Sequence, residues 1–156
     1  SNGFTLFSQG QAVDCIATEN LQSGFSSGFG CTFANCRSTS NQVHGFVIGT
    51  ANQVTGNAAY GNGTSGIGAG FNSTGTDSRF ERNAARGGDY GFWITGSRNL
   101  IIGNSSAGAT TAAWELAANN VYGPIVDRSA AATAPVSGSA AASVLATTDP
   151  HANITH

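Results

Sequence analysis

Gly45-Phe46-Val47-Ile48 is the stretch that decides the fold, because the chain repeats its form at nearly constant intervals. A glycine or alanine opens each copy, and from the second copy on a large apolar residue follows directly. The first three intervals are 21 residues each, the fourth is 25 and the fifth is 22. Self-similarity at one such period predicts a solenoid. The opening residues are Gly3, Gly24, Gly45, Gly66, Gly91 and Ala113.

The residue after each opening glycine or alanine is predicted to point into the solenoid, because a large apolar residue recurs at that place in five successive copies. This inward column comprises Phe25, Phe46, Ile67, Phe92 and Trp114.

A second column lies eight to ten residues before each glycine and is predicted to form the corners. Asn and Asp tolerate the left-handed conformation of a sharp bend, and a stacked Asn can bond the next Asn above it. An apolar residue precedes the last three corners by three positions, whereas Phe33 precedes its corner by two, which indicates a slightly different register there. The corner residues are Asp14, Asn35, Asn57, Asn83 and Asn104; the apolar residues are Val54, Phe80 and Ile101.

Two or three short strands per turn of about 21 residues predict an all-β, single-stranded, right-handed parallel β-helix of five to six turns. Ankyrin and leucine-rich repeats fit less well, because no unit has ten residues of helical periodicity and the leucine count is low. The predicted turns place the extra residues in the fourth, from 66 to 90. We expect the β-helix at 3–126, followed at 127–156 by an Ala/Ser-rich extension and a C-terminal cap.

The phrases Val54-Thr55-Gly56-Asn57, Ile101-Ile102-Gly103-Asn104 and Gly91-Phe92-Trp93-Ile94 resemble the repeats of secreted right-handed parallel β-helix proteins, the pectate-lyase-like and NosD-like superfamily. The resemblance covers residues 3 to about 126 and implies the C-terminal part of such a protein. It also implies an extracellular or cell-surface protein that is bacterial or phage-associated. It implies fold more than function, because the architecture hosts lyases, hydrolases, epimerases, adhesins and tailspikes.

The amino-acid composition excludes several classes of binding partner. Charged residues are 9% of the chain, all six basic residues are arginine, and the formal net charge is −2. No basic run is present, so nucleic acid is not an expected partner. No stretch approaches the roughly 20 apolar residues of a membrane span, so a membrane is not expected either. No Thr recurs in phase, which argues against an ice-binding face.

Cys15 and Cys36 lie one turn apart and follow equivalent corner residues, so we expect them to stack. They form either a disulfide between neighbouring turns or two small buried thiols, and the sequence leaves both alternatives open. Cys31 is out of phase with both. Without CxxC spacing or a phased histidine, neither a metal nor another cofactor is expected.

The densest charged segment runs from Asp77 to Asp89. Uronate lyases and glycosidases use arginine and carboxylate side chains of this kind in their active sites. The same charges also suit a solvated loop. If the chain is catalytic, the candidate residues are Arg79, Glu81, Arg82 and Asp89. Asp149-Pro150-His151 resembles the Asp-Pro-His-Asp signature of mannuronan epimerases, yet the fourth residue here is Ala152, so we interpret it as coincidence.

Tyr90 and Trp93 are the candidate ligand-binding residues. If Phe92 faces inward, Trp93 faces outward, where it could stack on a sugar or be covered by the tail. His44 and His156 lack partners in the sequence and are interpreted as surface residues.

The edge from Gly3 to Leu6 starts the repeat with nothing before it, so we expect self-association or further N-terminal coils there. Taken together, these features predict an extracellular structural or binding module, without catalysis, whose partner is a glycan or a protein surface. The alternative is a polysaccharide-active enzyme (lyase, hydrolase or epimerase) or a fragment of one.

Overall fold

The computed structural model describes residues 1–127 and 148–156 and contains, within those ranges, nineteen β-strands and no helix. The strands form three parallel sheets, named A, B and C, which wind into a β-solenoid of about six turns. Sheet A holds β1 Phe4–Ser8, β4 Phe25–Phe29, β7 Phe46–Ile48, β10 Ala69–Ser73, β13 Tyr90–Ile94 and β16 Ala112–Leu116.

Sheet B holds β2 Gln11–Val13, β5 Thr32–Ala34, β8 Gln53–Thr55, β11 Arg79–Glu81, β14 Leu100–Ile102 and β17 Val121–Tyr122. Sheet C holds β3 Ile16–Thr18, β6 Arg37–Thr39, β9 Ala58–Tyr60, β12 Ala84–Arg86, β15 Ser105–Ala107, β19 Asn153–Thr155 and β18 Ile125–Asp127, in that spatial order. The predicted parallel β-solenoid is therefore confirmed. The expected division into a β-helix at 3–126 and an extension at 127–156 stays a prediction.

An aromatic stack on the inner face of sheet A forms the centre of the core. Neighbouring rings lie 4.6–5.0 Å apart, with interplanar angles of 10° or less. In register, the stack runs Phe4, Phe25, Phe46, Phe71, Phe92 and Trp114. The predicted inward positions of Phe25, Phe46, Phe92 and Trp114 are confirmed.

Ile67 was predicted to hold the fourth place of this stack, and that prediction is wrong. Its side chain is 67% exposed, and Phe71 holds the place instead. Residues 63–68 form a loop in which Gly63 and Gly66 have positive φ, so the extra residues leave the solenoid before sheet A and lie in the third turn. A flat ring at Phe71 continues the stack between Phe46 and Phe92, which a branched Ile67 could not do.

Glycine recurs before the inward aromatic residues because sheets A and C lie close together at that point of each turn. The glycines that precede the aromatic rings face the small inward residues of sheet C, namely Ala17, Ser38, Ala59, Ala85 and Ser106. A Cβ built on Gly70 would lie 2.8 Å from Cβ of Ala85, closer than real Cβ atoms approach. A side chain at Gly70 would therefore force the two sheets apart at this turn.

Sixteen corners of the solenoid bend through a residue in the left-handed conformation, with φ between 52° and 71°. Between sheets A and B these residues are Gln9, Gly30, Ala51, Asp77, Arg98 and Asn119; between B and C, Asp14, Asn35, Gly56, Arg82 and Gly103; between C and A, Glu19, Ser40, Gly61, Gly87 and Gly108. At nine of these corners the next residue is an asparagine, and seven of the nine are buried.

The predicted asparagine column is confirmed from Asn57 upward. Asn57 and Asn83 are each 1% exposed, and the amide of each donates to Oδ1 of the next asparagine at 3.0 Å. Asp14 and Asn35, however, do not belong to this column. They are left-handed bend residues, and Cys15 and Cys36 occupy the inward column in the first two turns.

This one-residue shift also removes the predicted change of register at Phe33. Phe33 pairs directly with Val54 and is fully buried in the same column as Phe80 and Ile101. The inward columns of sheets A and B together supply most of the apolar core.

Candidate functional site

The charged segment does not form one cluster, because its members lie on three sides of the solenoid. Asp77 accepts hydrogen bonds from Arg98 at 2.8 and 2.6 Å at the bend between sheets A and B. That pairing lowers the pKa of Asp77 to about 2. Arg79, Glu81 and Arg82 follow on the outside of sheet B, whereas Asp89 lies beyond sheet C. Both groups at the first bend are exposed, so their ion pair is expected to add little stability.

Asp89 fastens the inserted loop to the solenoid. Its Oδ2 accepts the Gly68 N–H at 2.9 Å, and its Oδ1 accepts the Thr110 hydroxyl at 3.1 Å. Both carboxylate oxygens therefore bind loop and corner groups, on a different side of the solenoid from Arg79 and Glu81.

Arg79 and Glu81 lie side by side on the outer face of β11, two residues apart. Nε of Arg79 donates to Oε2 of Glu81 at 2.8 Å, and a guanidinium nitrogen of Arg82 lies 3.8 Å from Oε1. The hydrogen bond from Arg79 lowers the pKa of Glu81. A glycosidase acid or a proton-abstracting base near neutral pH needs a carboxyl with a raised pKa. The environment of Glu81 lowers its pKa and therefore does not suit either role.

The C-terminal segment brings His151 to this same side. Glu81, Arg82, Ile102, Pro150, His151 and Ile154 line a cleft of about 290 Å³. Asp149 accepts the His151 backbone N–H at 2.8 Å, which holds the local turn. Two segments that the sequence separates by almost 70 residues thus meet at one surface, which the sequence analysis did not anticipate.

Tyr90 and Trp93 form an aromatic pair on the outer face of sheet A. Their ring centroids are 4.7 Å apart at an interplanar angle of 20°, and both residues are half-buried. His44 approaches the Trp93 ring edge-on, with centroids 6.1 Å apart. The three residues come from two turns of the solenoid and make one continuous aromatic surface.

His44, which the sequence analysis treated as an ordinary surface residue, is held in one tautomer. Its Nδ1 accepts the Ala69 backbone N–H at 3.1 Å, so the proton of the neutral ring is on Nε2. Burial lowers the pKa of His44. The residue therefore presents a neutral ring with an N–H donor beside Trp93. A signal for its role exists in the sequence, since His44 directly precedes an opening glycine, as Tyr90 does.

Acid is expected to destabilise the fold through His44. The unfolded chain binds a proton near the ordinary pKa of 6.5, and the folded chain binds it only at lower pH. The stability that the neutral ring contributes is therefore fully present above pH 6.5 and is lost as the pH falls through the lowered pKa. Urea unfolding at pH 7.5 and pH 5 should show a larger loss for the natural chain than for His44→Asn, which keeps an acceptor for Ala69. Equal losses in the two proteins would contradict this role of His44.

The three cysteines are thiols in the structure. Cys15 and Cys36 stack on neighbouring turns as predicted, since Ile16 pairs with Arg37 directly after them. Burial raises the pKa of Cys36, so its thiol stays protonated and unreactive at neutral pH. Cys31 lies in a different corner column, where its N–H donates to Asn52 at 2.6 Å.

The described ranges contain no group of three or more His, Cys, Asp or Glu side chains placed to hold a metal ion. Nor does any helix in them have the length and apolarity to cross a bilayer. Comparison with protein-family models, with curated proteins and with solved structures finds no match to this chain.

Proposed function

We propose that this chain is an extracellular β-solenoid module, bacterial or phage-associated, that binds a neutral glycan on the outer face of sheet A. The paired rings of Tyr90 and Trp93 carry the proposal, because sugars stack their apolar faces on aromatic rings. His44 adds an N–H donor at the edge of Trp93. The low charge of the chain suits a neutral ligand, and the resemblance to pectate-lyase-like repeats supports a carbohydrate partner.

Trp93→Ala is expected to weaken glycan binding about tenfold or more, since it removes the larger ring of the platform. The measurement is a glycan-array screen, followed by calorimetry on the best ligand. Phe29→Ala is the matched control, because Phe29 is an aromatic residue of sheet A that is exposed and lies away from the proposed site. Equal binding by Trp93→Ala and the natural chain, or no glycan bound at all, would refute the proposal.

A polysaccharide-active enzyme is the second candidate, favoured by the cleft that Glu81, Arg82 and His151 share. The lowered pKa of Glu81 makes its carboxylate a weaker base and leaves it without a proton to donate at neutral pH, so we expect no turnover of pectate, alginate, hyaluronan or neutral glycans. Turnover that disappears in both Arg79→Ala and Glu81→Ala would promote this candidate over the binding module.

The first turn is proposed to be a contact surface for further solenoid turns or for a second copy. Strands β1, β2 and β3 each end their sheet, so one side of each backbone is open for pairing. Phe7, Ile16 and Leu21 of this turn are 84%, 65% and 66% exposed. Light scattering that reports a strict monomer over a wide concentration range would exclude the second copy.

A further inference from the structure

The last turn of sheet C is not completed by the residues that come next in the chain. Val121 and Tyr122 pair with Leu100 and Ile101, and continuing that register would place Pro124 at the bend occupied by Gly103. The equivalent residues Gly56, Arg82 and Gly103 have φ of 67°, 55° and 62°. Proline is held near −65° and cannot adopt that conformation.

Two further residues of the same segment fit no better. Ile125 would stand in the asparagine column above Asn104, where no side-chain amide would then meet the Asn104 backbone. Asp127 would stand above Ser106, in the buried column of alanine and serine. Burying a carboxylate in that column would remove its water of hydration, which is costly. Pro124, Ile125 and Asp127 therefore prevent the segment that follows β17 from pairing with β15. We call this position, next to β15 in sheet C, the rung.

The C-terminal strand β19 fills the rung instead and is held on both sides. It pairs with β15 through Ile154 and Thr155, and with β18 along its whole length. The Asn153 N–H donates to the Pro124 carbonyl at 2.7 Å, and the Ile154 N–H donates to the Asn104 carbonyl at 2.8 Å. The strand β18 is thereby displaced outward by one rung.

Asn153 and Thr155 supply the specific contacts. Asn153 is fully buried, and its Oδ1 accepts the Asn104 N–H at 3.0 Å, while its Nδ2 donates to the carbonyls of Ile101 and Gly123 at 3.1 and 3.0 Å. The Thr155 hydroxyl accepts the Trp114 indole N–H at 2.6 Å. These contacts depend on the sequence Asn-x-Thr in an extended conformation, and none depends on a covalent link to the rest of the chain.

We propose that the rung between β15 and β18 is a strand-acceptor site for an extended Asn-x-Thr segment, and that its partner is the C-terminal segment of a second copy. Exchange of an identical element between copies has a low energetic cost, because the hydrogen bonds that β19 makes within one chain form again between two chains. Every copy carries both the acceptor rung and the strand that fits it, so the exchange is reciprocal.

The test adds a fluorescent peptide with the sequence of residues 148–156 to the full-length Asn153→Ala chain, whose own strand lacks the specific amide. Anisotropy should show saturable binding, at least tenfold tighter than for the same peptide with Asn153→Ala. A Thr155→Val peptide should also bind more weakly, whereas an Ile154→Val peptide should bind equally well. Equal binding of the natural and the Asn153→Ala peptides would overturn the proposal.

Circular dichroism checks that the Asn153→Ala chain is folded. If it is not, the natural chain is refolded with an excess of each labelled peptide, and only the peptide with asparagine should be incorporated. The second copy is tested by refolding the natural chain at rising concentration and measuring its mass by light scattering. Dimers that form with the natural chain and not with Asn153→Ala are expected. Only monomers at every concentration would overturn the assignment of a second copy as the partner.

Discussion

Truncation of Phe92 to alanine is expected to lower the free energy of unfolding by about 3 to 5 kcal/mol, the range for deleting a fully buried aromatic ring. Phe92 is 0% exposed and lies 4.9 Å from the ring of Phe71 and 4.6 Å from that of Trp114. The strands on either side are tied together by backbone pairing, so they cannot collapse into the cavity. Chemical denaturation of both proteins measures the difference.

Ile67→Ala is the control for this prediction, and it also tests which residue continues the stack between Phe46 and Phe92. Because Ile67 is 67% exposed in the inserted loop, its truncation should change stability by no more than about 0.5 kcal/mol. Phe71→Ala should instead resemble Phe92→Ala. A large effect at Ile67 with a small one at Phe71 would show that the stack runs through Ile67.

Asn83→Ala is expected to lower the free energy of unfolding by about 3 kcal/mol or more, although it removes no apolar group. Alanine would leave several buried polar groups without a hydrogen-bond partner, and each such group costs about 1 to 3 kcal/mol. Asn83 accepts the Asn57 N–H at 2.9 Å and donates to the Val54 carbonyl at 2.7 Å and to Asn104 at 3.0 Å. The loss should appear in urea unfolding and as faster hydrogen exchange of the Asn57 amide.

The matched control is Asn35→Gly, which changes an asparagine outside the buried column. Asn35 has φ of 55°, and glycine already holds the same bend at positions 56 and 103. We expect a change within about 0.5 kcal/mol of zero, because glycine adopts positive φ without strain. Similar losses of stability for Asn83→Ala and Asn35→Gly would contradict the assignment of Asn83 to the buried column and of Asn35 to a bend outside it.

The candidate site was predicted only in part. The sequence places Tyr90 and Trp93 three residues apart, and the structure brings the ring of His44 to them from two turns earlier. It separates Asp89 from Arg79 and Glu81, which the sequence had grouped. Neighbours along a strand can be inferred from alternation, whereas neighbours across turns depend on register, and one insertion changes the register.

The repeat itself determined the parallel solenoid, the inward ring column and the buried asparagines from Asn57 on, because a period of one turn is a local property of the chain. The sequence holds a finer signal as well: Asn52, Asn57 and Asn62 are five residues apart, which marks all three corners of one turn. Only the tertiary structure decided between Gly66-Ile67 and Gly70-Phe71, since the two stretches look alike locally and differ only in whether the ring meets Phe46 and Phe92. It alone also placed Asn153 above Asn104, because a contact across 49 residues leaves no periodic trace and Pro124 keeps the chain's own continuation from making the bend there.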